Sequence, residues 1–143
     1  MLAKTIKYTD FNDVERTETF YFNLSEAELA EWEYSVKGTL TEYINRIQET
    51  IDIPSLIALY KELIDRSYGI KDADGRRFRK SPDILQDFKD TNAYSELYME
   101  LATDQKAGGD FISGIVSNKL KALLDEGVKN GQIDPNHPAL KQH

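Results

Sequence analysis

The chain has 143 residues, of which 40% are hydrophobic and 30% charged, and its formal net charge at pH 7 is −7. This length and composition are typical of one folded soluble domain. The chain has no cysteine, which excludes disulfides, thiolate metal sites and a cysteine nucleophile. Its acidity disfavours general nucleic-acid binding, which depends on neutralising phosphates.

The first predicted element is a β-hairpin over residues 4–24. Ile6 and Tyr8 alternate with polar residues, and Phe20 and Phe22 repeat this period of two in the second strand. An Asp-Phe-Asn-Asp run between the strands supplies turn residues. Because a lone two-stranded hairpin is marginally stable in water, its apolar face must be covered by a helix or extended by another strand.

The clearest local signal is the start of a helix directly after the hairpin. Ser25 is placed as the N-cap and Glu28 lies three residues later, which is the spacing of a capping box. Leu24, just before Ser25, and Leu29, just after Glu28, are placed as a hydrophobic staple. We expect this helix to run to about Val36, to end near Gly38, and to carry Trp32 in its apolar stripe.

Apolar residues spaced three and four positions apart predict several further helices. A second capping box, formed by Thr39 with Glu42, opens the first of them, and Pro54 stands in the first turn of the next. A charged loop is expected over residues 71–80 between the second and third of these helices. The apolar faces are, in chain order, Leu40, Ile44, Ile47 and Ile51; Leu56, Leu59, Tyr60, Leu63 and Ile64; Ile84, Leu85 and Phe88; Tyr94, Leu97, Tyr98 and Leu101; and Phe111, Ile112 and Ile115.

Residues 92–115 are expected to be the hub of the core, because they carry the last two of these apolar faces in close succession. Thr103 and Asp104 lie between the two faces and can end one helix and cap the next. Gly108 and Gly109 follow, and we expect them to delay or kink the second helix.

The predicted fold is α+β and mainly α, with an N-terminal two-stranded β-hairpin packed on a bundle of about five to seven short helices. One globular domain is expected over residues 1–126, with the hairpin at 4–24 and a helical region at 25–126. A last short helix should contain Leu120, Leu123 and Leu124. Residues 127–143 are predicted to be a flexible C-terminal tail.

Neither histidine nor any glycine motif points to catalysis or to a cofactor. His137 and His143 both lie in the predicted tail, which cannot orient a catalytic or metal-binding imidazole. The Asp72-Ala73-Asp74-Gly75 run resembles a calcium loop, but Arg77 and Asp83 occupy positions six and twelve, where an EF-hand needs glycine and glutamate. The residues alone therefore predict no metal site and no cofactor site, and they single out no catalytic group.

The one basic cluster consists of Arg76, Arg77, Arg79 and Lys80 around Phe78. Four cations beside an aromatic ring could grip a nucleic-acid backbone. The alternative is a surface loop that its phenylalanine anchors to the core, with nearby aspartates, Asp72, Asp74 and Asp83, offsetting the charge.

The negative charge is concentrated near the N-terminus. Residues 10–33 contain eight acidic side chains against Arg16 alone, a balance of −7, so the remainder of the chain is neutral. This region is either a solvated face or a contact surface for a basic partner.

Five segments taken in order resemble the tail assembly chaperones of long-tailed, siphovirus-type phages and prophages of Gram-positive bacteria. The resemblance covers roughly residues 4–116, and it rests on the ordered set rather than on any chemically diagnostic motif. The segments are Lys7-Tyr-Thr-Asp-Phe-Asn-Asp-Val-Glu-Arg-Thr-Glu-Thr-Phe-Tyr-Phe-Asn-Leu-Ser-Glu-Ala-Glu28, Ser67-Tyr68-Gly69, Gly75-Arg-Arg-Phe-Arg-Lys-Ser81, Ala93-Tyr-Ser-Glu-Leu-Tyr-Met-Glu-Leu-Ala-Thr-Asp104 and Phe111-Ile-Ser-Gly-Ile115.

The resemblance implies a non-enzymatic role in tail morphogenesis. Such a chaperone coats the long helical tape measure protein, keeps it soluble and helps to recruit tail tube subunits to it. The partners implied are therefore the tape measure protein, the tail tube protein and further copies of the chain, in a homo-oligomer. No apolar run approaches the roughly 20 residues of a membrane span, and the N-terminus lacks the apolar core of a signal peptide. We therefore expect the protein to act in the cytoplasm of the host bacterium.

The expected client-binding residues lie on the acidic first helix: Glu28, Glu31, Trp32 and Glu33. Two alternatives remain open at this point. One is a small nucleic-acid-associated phage regulator that uses the basic residues 76–80. The other is a structural component of the virion, such as a head–tail connector.

Overall fold

The computed structural model describes residues 1–35, 40–50 and 52–117. Within these ranges the chain forms an antiparallel sheet and a set of short helices, which confirms the predicted α+β, mainly α fold. The elements are β1 (Leu2–Thr9), β2 (Glu15–Phe22), α1 (Glu26–Ser35), α2 (Leu40–Thr50), α3 (Ile53–Ser67), β3 (Tyr68–Lys71), β4 (Phe78–Arg79), α4 (Pro82–Lys89), α5 (Asn92–Thr103), α6 (Gln105–Ile112) and a π-helical turn (Ser113–Ser117).

The N-terminal hairpin is the first half of a larger sheet, with strand order β1-β2-β3-β4. Strand β1 pairs with β2 along its whole length, whereas β3 pairs with β2 only where Tyr21 faces Gly69 and Phe22 faces Tyr68. The sheet thus has two strands more than predicted. Because β3 and β4 take up residues near both ends of the segment 71–80, the charged loop expected there is shorter than predicted. Strands of four and two residues are too short to show a period of two.

The side chain of Asp10 organises the hairpin turn. Its carboxylate accepts hydrogen bonds from the backbone N–H groups of Asn12 (2.8 Å) and Val14 (3.0 Å), and from the Arg16 guanidinium (2.6 Å). The hydrogen bond from Arg16 is the main reason why the pKa of Asp10 is lowered. Asp13 takes a positive φ of 61°, a conformation that aspartate tolerates better than most residues. The turn therefore needs no glycine.

The capping box at the start of α1 is confirmed. The backbone N–H of Ser25 donates to Glu28 Oε1 (3.0 Å), and the backbone N–H of Glu28 donates to Ser25 Oγ (3.1 Å). The two staple residues, Leu24 and Leu29, are both buried. The predicted end of this helix near Gly38 and the Thr39 capping box lie outside the described residues.

Helix α5 is the centre of the core, as predicted for this stretch. It runs antiparallel along β1, because Asn92 Nδ2 donates to the backbone oxygen of Thr9 (2.8 Å) near one end while Lys4 Nζ donates to Glu100 Oε1 (2.6 Å) near the other. Every described member of the apolar faces predicted for α2 and α3 is buried, whereas Ile84, Leu85, Tyr94 and Tyr98 are half-buried. The largest fully buried side chains are Trp32, Phe22, Phe88, Leu24, Leu29, Leu40, Leu59, Leu63, Ile64, Leu97, Leu101 and Ile115.

Helix α6 begins as predicted but is not interrupted by its glycines. The Asp104 carboxylate accepts hydrogen bonds from the N–H groups of Lys106 and Ala107, and the helix then continues through both Gly108 and Gly109 to Ile112. A Cβ atom at Gly108 would lie 2.2 Å from the hydroxyl oxygen of Tyr60. Gly108 is therefore required by close contact with α3, and the expected kink is wrong. The predicted helix around Leu123 and the predicted tail lie outside the described residues.

Candidate partner-binding surface

Trp32, one of the four residues expected to contact a partner, lies in the core. It is 1% exposed and belongs to the buried face of α1 together with Leu29. The Arg66 guanidinium of α3 lies over its ring, 4.7 Å from the ring centroid. Trp32 therefore attaches α1 to the rest of the fold, and its ring is not on the surface that a partner would meet.

Glu28 is half-buried and is used inside the protein. Besides its capping bond to Ser25, it forms an ion pair with Lys80, whose Nζ lies 2.7 Å from Glu28 Oε2 and also donates to the backbone oxygens of Asn23 (2.6 Å) and Arg66 (2.7 Å). Partial burial alone would raise the pKa of Glu28, but the hydrogen bonds from Lys80 and Ser25 outweigh it, so that this pKa is lowered. We call this arrangement the Lys80 clamp; it joins the start of α1 to the end of α3.

Glu33 is also engaged internally. Its Oε2 accepts a hydrogen bond of 2.7 Å from the backbone N–H of Leu40, the first residue of α2. Such a bond satisfies one of the N–H groups that lack an intrahelical partner at a helix start. Glu33 therefore links the end of α1 to the start of α2.

Glu26 and Ser35 are exposed at the two ends of α1, and the exposed face between them consists of Ala27, Glu31 and Tyr34, spaced four and three residues apart. We call these three residues the α1 stripe. Tyr34 is 88% exposed, the highest value among the exposed large hydrophobic residues of the described ranges. Large exposed aromatic residues are enriched among the hot spots of protein–protein interfaces. Tyr34 is not among the residues predicted from the sequence to contact a partner, although its position on the helix opposite Leu29 and Trp32 is the signal that identifies it.

The basic cluster is divided rather than continuous. Arg79 pairs with Asp72 (2.7 Å), and Lys80 is used in the Lys80 clamp. Arg76 and Arg77 are exposed, and neither forms an ion pair within the described ranges. Only two of the four cations are thus available to a phosphate backbone, which weakens the nucleic-acid interpretation.

Phe78 anchors this segment, as the alternative interpretation predicted. Its ring lies directly against Gly69 of β3, where an added Cβ atom would approach a ring carbon to 2.6 Å. Lys80 Nζ lies 5.7 Å from the centroid of the same ring. The aromatic residue that could have stacked on a base therefore packs on the sheet.

One surface pocket of about 210 Å³ lies between β1, α5 and α6. Among the charged residues that line it, Lys4 pairs with Glu100 at 2.6 Å and Lys106 pairs with Asp110 at 3.1 Å. Across the part of the chain that the structure describes, no three histidine, cysteine, aspartate or glutamate side chains are grouped so that they could hold a metal ion. None of the described helices is long and apolar enough to span a membrane.

Exposed aromatic residues such as Tyr34 are enriched at protein–protein contact surfaces. The family model for phage tail assembly chaperones matches residues 1–142. The chain therefore belongs to the phage tail assembly chaperone family, and the match extends beyond residue 116, where the resemblance ended. Neither a curated protein nor a solved structure matches the sequence significantly.

Proposed function

We propose that the protein binds the tape measure protein of its phage, keeps it soluble in the cytoplasm of the host bacterium and helps to recruit tail tube subunits to it. The observation that carries this proposal is the family match over residues 1–142. A tape measure protein exposes long apolar stripes, which aggregate unless another protein covers them. The proposed role is binding, without a catalytic step and without a cofactor.

We propose the α1 stripe as the surface that meets the client. Glu31 and Tyr34 are both exposed, so contact with a client requires no rearrangement of the core. A tyrosine offers a broad apolar contact at low cost in side-chain entropy, and the neighbouring carboxylate favours a client helix that carries basic residues. Glu28, Trp32 and Glu33 support this surface from within, because each is tied to another element.

Co-expression tests the proposal. The tape measure protein of the same phage is produced in bacteria with and without this chain, and its soluble fraction is measured. We expect the soluble fraction to rise severalfold and the two proteins to co-purify on a tag carried by the chaperone. An insoluble client that is not retained on the tag would contradict the proposal.

Recruitment of the tail tube protein is tested separately. The purified complex is mixed with tube subunits, and we expect these subunits to be retained by the complex. Mass spectrometry of finished particles distinguishes a chaperone from a head–tail connector, since a chaperone should be absent from them. Detection of the chain in stoichiometric amounts would favour the structural role.

A further inference from the structure

One edge of the sheet is open over the outer half of β2. Strand β3 pairs with β2 only at Tyr21 and Phe22, and the side chains of residues 15–19 are all exposed. No other described strand pairs with this edge. A short strand edge with unpaired N–H and C=O groups is a template for another strand.

The direction of the backbone groups on this edge follows from the contact with β3. The N–H of Asn23 donates to the backbone oxygen of Ser67 (2.8 Å), so it points away from β1. Because backbone groups alternate sides along a strand, Glu15, Thr17 and Thr19 direct theirs the same way. These three residues therefore offer three donors and three acceptors at the open edge.

The charges on β2 favour a second copy of the chain in a single register. Antiparallel pairing of two β2 edges about a two-fold axis can be centred on residue 16, 17 or 18. A centre at Arg16 places two arginines opposite each other, and a centre at Glu18 places two glutamates opposite each other; both are unfavourable. A centre at Thr17 places each Arg16 opposite a Glu18 of the other copy.

We propose that two copies of the protein pair antiparallel through this edge, with Thr17 on the two-fold axis. In this register Thr17 bonds with its counterpart, and Glu15 bonds with Thr19 on either side, so that six backbone hydrogen bonds form. The interface is isologous, which closes the assembly at two chains. The pairing uses residues 15–19 and stops before Tyr21, where β3 already occupies the edge.

The side chains that meet in this register keep free hydrogen-bonding groups. Arg16 uses Nε for Asp10 (2.6 Å), which leaves its terminal nitrogens available. Glu18 uses Oε1 to accept the Tyr8 hydroxyl, which leaves Oε2 available. Both residues can therefore bond across the interface without giving up their contacts within the hairpin.

The same register brings exposed apolar surface together. Val14, which is 53% exposed, reaches the position beside Phe20 of the other copy. Pairing of β2 with β3 ends one residue short of Phe20, at Tyr21, and Ile70, which follows Gly69 in β3, is 47% exposed. Contact between these residues removes apolar area from water at both ends of the paired strands.

Disulfide cross-linking tests the register directly, since the natural chain has no cysteine. In the proposed dimer the two Thr17 Cα atoms lie about 5.5 Å apart, within the span of a disulfide. Lys7 is the matched control, because it is exposed and faces Thr17 on β1 but lies about 14 Å from its counterpart across four strands. We expect a Thr17→Cys chain to form disulfide dimers at least about tenfold faster than a Lys7→Cys chain. Equal rates would overturn the proposal.

The mass of the isolated protein in solution is a second test of the dimer. Because no client is present, its outcome is independent of tape measure binding. We expect a dimer whose fraction rises with concentration. Thr17→Pro removes one N–H at the open edge and leaves the pairing with β1 intact, so it should lower the association constant at least about tenfold. A chain that is monomeric at every concentration, or a Thr17→Pro dimer of unchanged affinity, would overturn the proposal.

Charge complementation distinguishes loss of dimerisation through like charges from loss through misfolding. A chain with Arg16→Glu and a chain with Glu18→Arg each place like charges opposite each other in a homodimer, so each should be monomeric. Their equimolar mixture restores opposite charges at both positions, and we expect it to dimerise. A mixture that stays monomeric would contradict the register.

Discussion

Helices α5 and α1 both present a buried and an exposed face, but they differ in what holds them. Helix α5 lies between β1 and the neighbouring helices and is held mainly by apolar residues, of which Leu97 and Leu101 are almost fully buried, with polar contacts to β1 near its two ends. Helix α1 is held by Trp32 and by polar groups at its two ends, Glu28 and Glu33. The comparison teaches that charged residues of a helix can be structural, so that the α1 stripe, rather than Glu28 or Glu33, is the surface left for a partner.

A substitution in the buried face of α5 should have the largest effect on stability. Leu97 is fully buried in α5, so Leu97→Ala should lower the free energy of unfolding by about 2–5 kcal/mol, through lost apolar transfer and a residual cavity. Urea denaturation followed by circular dichroism measures this change. A loss below about 1 kcal/mol would mean that α5 is not the hub.

The Lys80 clamp attaches the start of α1 to the end of α3 through three acceptors. Lys80→Met should lower the free energy of unfolding by about 2–3 kcal/mol, because it leaves Glu28 and two backbone oxygens without their donor. Arg77→Met is the matched control in the same basic segment, and it should change stability by less than about 0.5 kcal/mol. Equal effects of the two variants would show that the clamp contributes no more than an exposed cation.

Alanine substitutions at the two adjacent glycines of α6 distinguish the effect of close contact on stability from the effect of helix propensity. Gly108→Ala should destabilise the protein by about 1–3 kcal/mol, since the new methyl group meets the Tyr60 hydroxyl. Gly109→Ala meets nothing within 4 Å, so it should stabilise the helix by up to about 1 kcal/mol. Thermal unfolding of the two variants should therefore shift in opposite directions, and shifts of the same sign would contradict the packing.

The smallest effect concerns the charge of Glu28. Its lowered pKa means that its ion pair stabilises the protein above the pKa of an unfolded glutamate, and that this contribution disappears as the pH falls through the lowered value. Glu28→Gln should therefore be less stable than the natural protein at pH 7, by at most about 1 kcal/mol given partial solvent screening. The two proteins should become equally stable in acid. A difference that persists at low pH would assign the effect to packing.

The sequence was sufficient for the elements whose signals are local. The capping box is set by two residues three positions apart, Ser25 and Glu28, and the apolar face of α3 recurs at helical spacing; both are confirmed. Strands β3 and β4 were missed, since four and two residues carry no period. Their pairing depends on the fit of Phe78 against Gly69, which only the folded chain reveals.

The surface was harder to predict than the core. The sequence predicts Trp32 both in the apolar stripe of its helix and among the client-binding residues, and its burial in the structure agrees with the first of these roles. The sequence shows Lys80 only as one member of a basic cluster, but two of its three acceptors are backbone oxygens brought together by the fold. The partners of a charged side chain are set by tertiary contacts that its neighbours in sequence do not specify.

The affinity for the tape measure protein tests the central claim, that the client meets the α1 stripe and not the hub. Two matched double variants are compared with the natural protein by titration against a purified client fragment. One combines Glu31→Lys with Tyr34→Ala on α1. The other combines Glu96→Lys with Met99→Ala on α5, where the glutamate and the large apolar residue are also exposed and three residues apart. We predict that the α1 variant raises Kd at least about tenfold and that the α5 variant leaves it within about twofold. Equal effects, or a larger effect of the α5 variant, would contradict the claim.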